Sequence, residues 1–419
     1  MRIETVCTGD ELLTGLTADT NSLFFQTQAL ERLGERVHRS ATVGDVEQDI
    51  IAALTEAAAR ADVVLVSGGL GPTADDITAA CAAKAFGDSL TLDEATLARL
   101  KEGFAKRGLE FTANNARQAQ VPSRAEVVPN AVGAAPMFIV TAGTTTLFFV
   151  PGVPREYRHL VEHEVIPRIE KLQAPAERKV RVLKLLKTVG LPESHLDERV
   201  KSLSQKYPDV TVGFRTHLPE NHLKLLVEGE NEVSTRARLA QVVSEARAAL
   251  SPHVFGEDAE TLSGVVLDLL RKRGQSVALA ESCTGGGACA LLAGEAGASD
   301  VLKGSLVTYR DSVKTALAGV SEELLTRTGA VSSEVALGLA MGAKARVGAD
   351  WGVGITGWAG PTGGDERNPV GTVFIAVEGP GGKTWSERKS FGRDRKRTQS
   401  MAAAAALDLL RRAVLEATP

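Results

Sequence analysis

Cysteine is scarce in this chain of 419 residues: four are present, Cys7, Cys81, Cys283 and Cys289, with no CxxC pair among them. That excludes a disulfide framework and a cysteine zinc cage, and it suits a reducing, cytoplasmic compartment. No apolar run approaches the roughly 18 residues of a membrane span, so no membrane partner is expected. The acidic pair Asp10-Glu11 interrupts the N-terminal region before a signal-peptide core develops, and secretion is not expected. Positive charge is not in excess either: 48 lysines and arginines face 52 acidic residues, a net charge of −4. A generally basic nucleic-acid surface is excluded, which leaves room only for a local patch. What is present is 43% hydrophobic residues, enough for packed cores, and a length that at about 150 residues per domain predicts roughly three domains.

From residue 1 to about 170 short apolar runs alternate with helical patterns. Strands are expected at 3–7, 37–43 and 63–67, and helices at 23–33, 47–61 and 74–86. This βαβα rhythm predicts a doubly wound, parallel α/β sheet with its ligand crevice beyond the strand ends. Thr8-Gly-Asp-Glu11 and Gly68-Gly-Leu-Gly-Pro72 fall at those ends. A Pro/Ala/charged stretch at 173–178 reads as a linker after a helix at 156–172. Beyond it, strands at 180–188, 210–214 and 223–228 and helices at 192–204 and 232–250 predict a small α+β module. A second break at 251–258 precedes another alternating region, with strands at 277–280, 305–309, 352–356 and 372–377. The expected domains are therefore 1–172, 173–252 and 256–419. The first and third show no repeat of one another, and the alanine tract 402–406 reads as a closely packed helix.

In the third domain, Val277-Ala-Leu-Ala-Glu-Ser-Cys-Thr-Gly-Gly-Gly-Ala-Cys289 is an apolar strand that runs into a glycine turn and a new helix at about Ala288. Ser282 then sits on a strand-to-helix turn, where free backbone N–H groups suit an anion or a developing oxyanion. The same pattern also serves as a plain serine–threonine helix cap. Downstream, Val307-Thr-Tyr309 ends a strand, and Asp311 or Ser312 caps a helix with Lys314 in its first turn. There the helix dipole opposes a positive charge, the bias a general base needs, although a surface lysine fits the pattern equally. Thr356-Gly-Trp-Ala-Gly-Pro-Thr-Gly-Gly364 and Pro369-Val-Gly-Thr-Val373 supply glycines where backbone must approach closely. Either Ser282 or the adjacent Cys283 can be the nucleophile on spacing alone.

These motifs in this order, with Gly329-Ala-Val-Ser-Ser-Glu334, resemble the CinA C-terminal family over about 160 residues. The resemblance implies hydrolysis of the carboxamide of nicotinamide mononucleotide (NMN) to nicotinic acid mononucleotide and ammonia, with no cofactor. It implies Ser282, Tyr309 and Lys314 as the catalytic set, and it ranks Ser282 above Cys283. Glu281, Thr284, Gly285, Gly286, Thr356, Gly357, Ala359, Gly360, Gly363 and Gly364 are then expected to bind substrate. Arg393 and Arg397, in the run Gly392-Arg-Asp-Arg-Lys-Arg397 with Arg395 between them, are expected near the phosphate. Asp311 stands where the family usually has asparagine, and Trp358 where it has an aliphatic residue.

In the first domain, the amides of Gly68 and Gly69, leading into a helix expected at Ala74, suit phosphate oxygens. Asp75 and Asp76 either hold a divalent cation there or complement the helix dipole. With Glu11, Asn21, Asp45, Thr73, Asn114-Asn115-Ala-Arg117-Gln118 and Pro151-Gly-Val-Pro-Arg-Glu156, this region resembles the CinA N-terminal domain, which is similar to molybdopterin-binding domains. The resemblance implies hydrolysis of ADP-ribose to AMP and ribose 5-phosphate. The site would comprise Glu11, Asn21, Asp45, Gly68, Gly69, Thr73, Asn115 and Arg117, with Asp75 and Asp76 on a divalent metal (Mg2+, Co2+ or Mn2+). Molybdopterin binding is the rival reading, because Thr-Gly-Asp-Glu-Leu also occurs in molybdenum-cofactor proteins.

The middle module resembles the KH-type domain of CinA but has no G-x-x-G loop, the nearest segment being Gly190-Leu-Pro-Glu193. That points to a spacer or a dimerisation module in a homodimer, and away from RNA. The whole chain is thus expected to be a bifunctional enzyme of pyridine-nucleotide recycling. The alternative is a nucleotide-binding accessory protein of competence or DNA repair without significant turnover.

Overall fold

The computed structural model describes residues 1–173 and 180–417. It divides into two compact units, Met1–Val182 with Glu228–Thr235, and Leu183–Val227 with the chain from Arg236 onward.

The first unit is built on β1 (Ile3–Thr8), β2 (Val37–Val43), β3 (Val63–Ser67), the short pair β4 (Leu90–Leu92) and β5 (Gln120–Pro122), and β6 (Glu126–Val128), β7 (Met137–Ala142) and β8 (Thr145–Val150). The main sheet has the order β2-β1-β3-β8-β7-β6. β2, β1, β3 and β8 run parallel, and β7 and β6 extend the sheet antiparallel. β1 and β3 are buried along their whole length, the mark of parallel strands covered on both faces. Their side chains alternate between two cores. Val63 and Leu65 pack with Phe25, Tyr157 and Ile169, and Val64 and Val66 pack with Ile50, Leu54 and Cys81. Truncating Leu54 to alanine would cost about 2–5 kcal/mol. The α/β expectation holds, with an antiparallel hairpin about Gly143 added at one side.

The helix expected at Ala74 begins only at Thr78. The Asp76 carboxylate accepts from both the Thr73 N–H (2.8 Å) and the Thr73 hydroxyl (2.6 Å), closing a local turn that competes with helix. Asp75 and Asp76 therefore lie in a loop ahead of the helix, and the dipole reading of this pair falls. The linker expected at 173–178 lies outside the described residues, except Gln173.

In the second unit, β9 (Val180–Val189), β10 (Val210–His217), β11 (Glu220–Gly229) and β12 (Val254–Glu257) form a sheet of order β10-β11-β9-β12. Helices Glu193–Lys206 and Glu232–Leu250 accompany it, giving the α+β module. The break expected at 251–258 is instead occupied by β12, paired antiparallel with β9. Phe255 and Val189 join the core of the following domain, so the turn residues here flank a short strand.

That domain has β13 (Val277–Glu281), β14 (Leu302–Val307), β15 (Trp351–Gly357), β16 (Thr372–Glu378) and β17 (Thr384–Ser390) in the order β14-β13-β15-β16-β17. The first three are parallel and the last two antiparallel. The alanine tract lies in the helix Arg395–Glu416, with Ala402, Ala403, Ala404 and Ala406 buried in the core. Gly352 and Gly354 let β15 approach the helix Ser333–Val347 closely. A Cβ on either would stand 2.0 Å from the carbonyl oxygen of Ala340 or Ala336.

Candidate active sites

Strand β13 delivers Ser282 to the end of the third sheet, between the ends of β14 and β15. The Ser282 N–H donates to the Ile355 carbonyl (2.9 Å), and the Thr308 N–H donates to the Glu281 carbonyl (2.8 Å). The turn that follows is left-handed at Gly285 (φ 65°) and Gly286 (φ 97°), and Gly286 caps the helix Gly287–Ala293. Ser282 is buried, and its hydroxyl makes no hydrogen bond among the described residues.

Glu281 does not face a substrate. It is fully buried, and its carboxylate accepts from the Thr284 hydroxyl, the N–H groups of Ala288 and Cys289, and the Ser305 hydroxyl. Glu281 and Thr284 were both expected to bind substrate; in the structure the Glu281 carboxylate and the Thr284 hydroxyl are bonded to each other. The Glu281 carboxylate also fills the start of helix 287–293. The Gly285 and Gly287 N–H groups are spent on the carbonyls of Ser282 and Thr284, so the turn offers the Thr284 and Gly286 N–H groups to an oxyanion.

Cys283 lies in the core, and burial pushes its thiol up to about 12. Lys314 is buried in the helix Asp311–Ala318, where its ammonium donates to the Tyr309 carbonyl (3.3 Å) and pairs with Asp311 (3.1 Å). Tyr309 is half exposed, and its hydroxyl accepts from Arg395 (2.5 Å). Arg395 also donates to the Gly360 carbonyl (2.8 Å), and Gln399, one turn on, donates to the Cys283 carbonyl (2.8 Å). The last helix thereby ties the Ser282 turn, the Tyr309 loop and the Gly360 loop together.

Of the three arginines, Arg395 reaches the site. All three residues are exposed, but Arg393 and Arg397 make no side-chain hydrogen bond or ion pair among the described residues, whereas Arg395 does. The signal for this was helix phase: Asp394 caps the helix, so Arg395 opens its first turn. The other loop positions are held by packing. The Thr356 hydroxyl donates to the Ala330 carbonyl (2.7 Å), Ala359 is in the core, and Gly357 lies against β16. Gly360 packs on the Arg393 carbonyl, Gly363 on the Trp358 ring and Gly364 on the backbone of Pro369 and Val370.

In the first unit, a cavity of about 490 Å³ opens at the ends of β1, β3 and β8. It is lined by Glu11, Asn21, Asp45, Gly68, Gly69, Asp75 and Asp76, together with Glu156. Thr73, Asn115 and Arg117 do not line it. Asn115 is committed to a capping box with Thr112, and Arg117 acts on Asp75 through its charge. The Gly68 N–H donates to the Val150 carbonyl (3.2 Å), so it is not a phosphate donor. Gly68 and Gly69 are required by close packing, because a Cβ would stand 2.3 Å from the Thr8 carbonyl oxygen and 2.0 Å from the Thr78 hydroxyl.

Asp45 is raised above the ordinary carboxylate range by burial and by the charges of Asp10, Glu11 and Asp75, although hydrogen bonding to the Asp10 backbone opposes this. Asp75 lies below the ordinary carboxylate range, favoured in its charged form by the neighbouring Thr73 and by the charge of Arg117. This is an oxygen-only, mutually repelling donor set, which suits a hard divalent cation. Among the described residues no three potential ligands converge. No helix among the described residues is long and apolar enough to cross a membrane.

Comparison with known proteins follows this division of the chain. Residues 4–171 match the family model described as a probable molybdopterin binding domain, 183–256 the damage-inducible protein CinA KH domain, and 259–414 the CinA C-terminal domain. A CinA-like protein of Myxococcus xanthus is 46% identical over 418 residues, covering 100% of this chain and 99% of the relative. One from Geotalea uraniireducens is 40% identical over 415 residues, covering 99% and 98%. Among solved structures, a CinA protein with unknown function from Thermoplasma acidophilum is 32% identical with a TM-score of 0.37, covering 40% of this chain and 97% of its own.

Proposed function

The chain belongs to the CinA family, and from that premise we propose that it is a bifunctional hydrolase of pyridine nucleotides. Its C-terminal domain converts NMN to nicotinic acid mononucleotide and ammonia. Its N-terminal domain, with a divalent metal, converts ADP-ribose to AMP and ribose 5-phosphate.

The observation that carries the first activity is a serine hydroxyl free of hydrogen bonds among the described residues, next in sequence to a thiol that burial keeps protonated. Ser282 attacks the carboxamide carbon, with Lys314 as the base that takes the hydroxyl proton. Tyr309 relays that proton or holds the carbonyl oxygen, while the Thr284 and Gly286 N–H groups face the developing oxyanion. The proton then passes to the leaving nitrogen, ammonia departs, and water hydrolyses the acyl-serine. Nucleophile, base and oxyanion donors all come from the chain, so the reading requires no cofactor.

For the second activity, a cavity of about 490 Å³ lies within the range of nucleotide-sized sites. Asp75 and Asp76 would hold the cation, with Asp45 beside them. The bound cation neutralises diphosphate charge, and the chain's own part is to place the diphosphate against these carboxylates. A homodimer belongs to this reading and is tested by light scattering on the purified chain.

Assays for ammonia from NMN and AMP from ADP-ribose test the whole proposal. Tight molybdopterin binding with ADP-ribose left intact would overturn the N-terminal half. Nucleotide binding without turnover at either site would favour an accessory role.

A further inference from the structure

We propose that Glu281 is the positioning residue of the C-terminal site, a buried clamp that fixes the Ser282 turn against the loop carrying Tyr309 and Lys314. The inference rests on the deamidase reading for its kinetic consequence but not for its structural one.

Glu281 is 0% exposed, yet it makes no ion pair among the described residues. Its charge is satisfied by donors alone, and they come from separate parts of the site. One carboxylate oxygen accepts from the Thr284 hydroxyl (2.8 Å) and the Ala288 N–H (3.0 Å). The other accepts from the Cys289 N–H (2.9 Å) and the Ser305 hydroxyl (3.2 Å). Thr284 belongs to the turn that presents Ser282, Ala288 and Cys289 to the helix behind it, and Ser305 to β14, whose end leads to Tyr309. The backbone of Glu281 repeats the link, since its carbonyl accepts from the Thr308 N–H (2.8 Å). The residue immediately before the nucleophile is thus bound by side chain and main chain to the strand that places the tyrosine and lysine.

A carboxylate suits this task and an amide does not. All four donors need acceptors, and a glutamine offers an acceptor at only one of its two terminal atoms. Glu281→Gln would keep the volume while leaving donors on one side unmatched, which loosens the turn relative to β14.

The test uses the full-length protein. Glu281→Gln is expected to lower kcat for NMN by about 10- to 100-fold with KM within about twofold, the signature of misaligned reacting groups. Ser305→Ala removes one donor on β14 and is expected to lower kcat in the same sense by about threefold, and it decides the matter should Glu281→Gln fail to fold. Amide hydrogen exchange reads the clamp without substrate: in both variants, segments 283–293 and 302–309 are expected to lose protection together. Loss confined to 283–293, or a rise in KM at unchanged kcat, would overturn the proposal. Coupled loss of protection in a protein that releases no ammonia from NMN would sink the deamidase reading and leave the clamp standing.

Discussion

Arg395 donates to the Tyr309 hydroxyl at 2.5 Å across 86 residues of sequence, while its other terminal nitrogen holds the Gly360 carbonyl. The tyrosine is half exposed and makes no contribution to a core, so its hydroxyl can be removed without disturbing the fold. Tyr309→Phe is expected to lower kcat for NMN by about 10- to 100-fold, the range for losing a proton relay or an electrophilic donor. Full kcat in the phenylalanine variant would exclude the hydroxyl from the chemistry.

The adjacent hydroxyl and thiol at 282 and 283 make opposite predictions. Burial pushes the Cys283 thiol up to about 12, so almost none is thiolate near neutral pH. Iodoacetamide is therefore expected to leave the native enzyme active, and Cys283→Ser to retain most of the rate. Ser282→Ala is expected to lose a factor of about 100 or more. Abolition by Cys283→Ser with survival of Ser282→Ala would reverse the assignment of the nucleophile.

The strands that carry these residues were legible because β1, β3 and β13 are short, mostly apolar runs with glycine soon after them, a pattern that suits buried parallel strands. What sequence did not reveal was how the polar atoms are spent. Glu281 was expected to bind substrate on the strength of the resemblance, and only the fold shows four donors closing on its carboxylate. Gly68 read as a phosphate cradle, yet its N–H is used by Val150 and its missing Cβ by Thr8. Strand β17 went unread because its residues alternate between exposed and half-buried on a sheet edge, without an apolar face strong enough to register.

The two activities should separate under chelation. Asp75→Asn is expected to reduce ADP-ribose hydrolysis by about 10-fold or more and to leave NMN deamidation unchanged, because a hard cation loses one of its few charged ligands. EDTA should reproduce that split in the wild type. Inhibition of both activities by EDTA would show that the deamidase also depends on a metal.

Asp88 gives a stability prediction. Its carboxylate is lowered to about 2, first by the Ser123 hydroxyl (2.5 Å) and then by the Arg124 N–H (3.0 Å). The folded value lies below the unfolded one, near 3.9. The ionised form is thus favoured by folding, and its stabilisation is fully present above the unfolded value and lost as pH falls through about 2. Asp88→Asn should lower the melting temperature at neutral pH, and the gap to wild type should narrow on titration from pH about 5 to about 2. A gap independent of pH would assign the effect to packing.

The last prediction concerns the 5′-phosphate of NMN, which nicotinamide riboside lacks. Most N–H groups at this turn are spent, since Ala288 and Cys289 donate to Glu281 and Gly285 and Gly287 donate within the turn. Discrimination is then expected from a side-chain cation, and Arg395 is the arginine whose guanidinium stands beside Tyr309. A lost charge-assisted contact costs about 1.5–3 kcal/mol, so nicotinamide riboside should fall below NMN by roughly one to two decades in kcat/KM. Arg395→Ala should collapse most of that difference, whereas Arg393→Ala and Arg397→Ala should preserve it, their side chains making no hydrogen bond or ion pair among the described residues. Because Arg395 also holds Tyr309, its removal should lower the rate on both substrates, and the diagnostic quantity is the ratio between them. An unchanged ratio in Arg395→Ala would move the phosphate to another part of the site, and equal efficiencies in the wild type would mean that the pocket reads only the pyridine carboxamide.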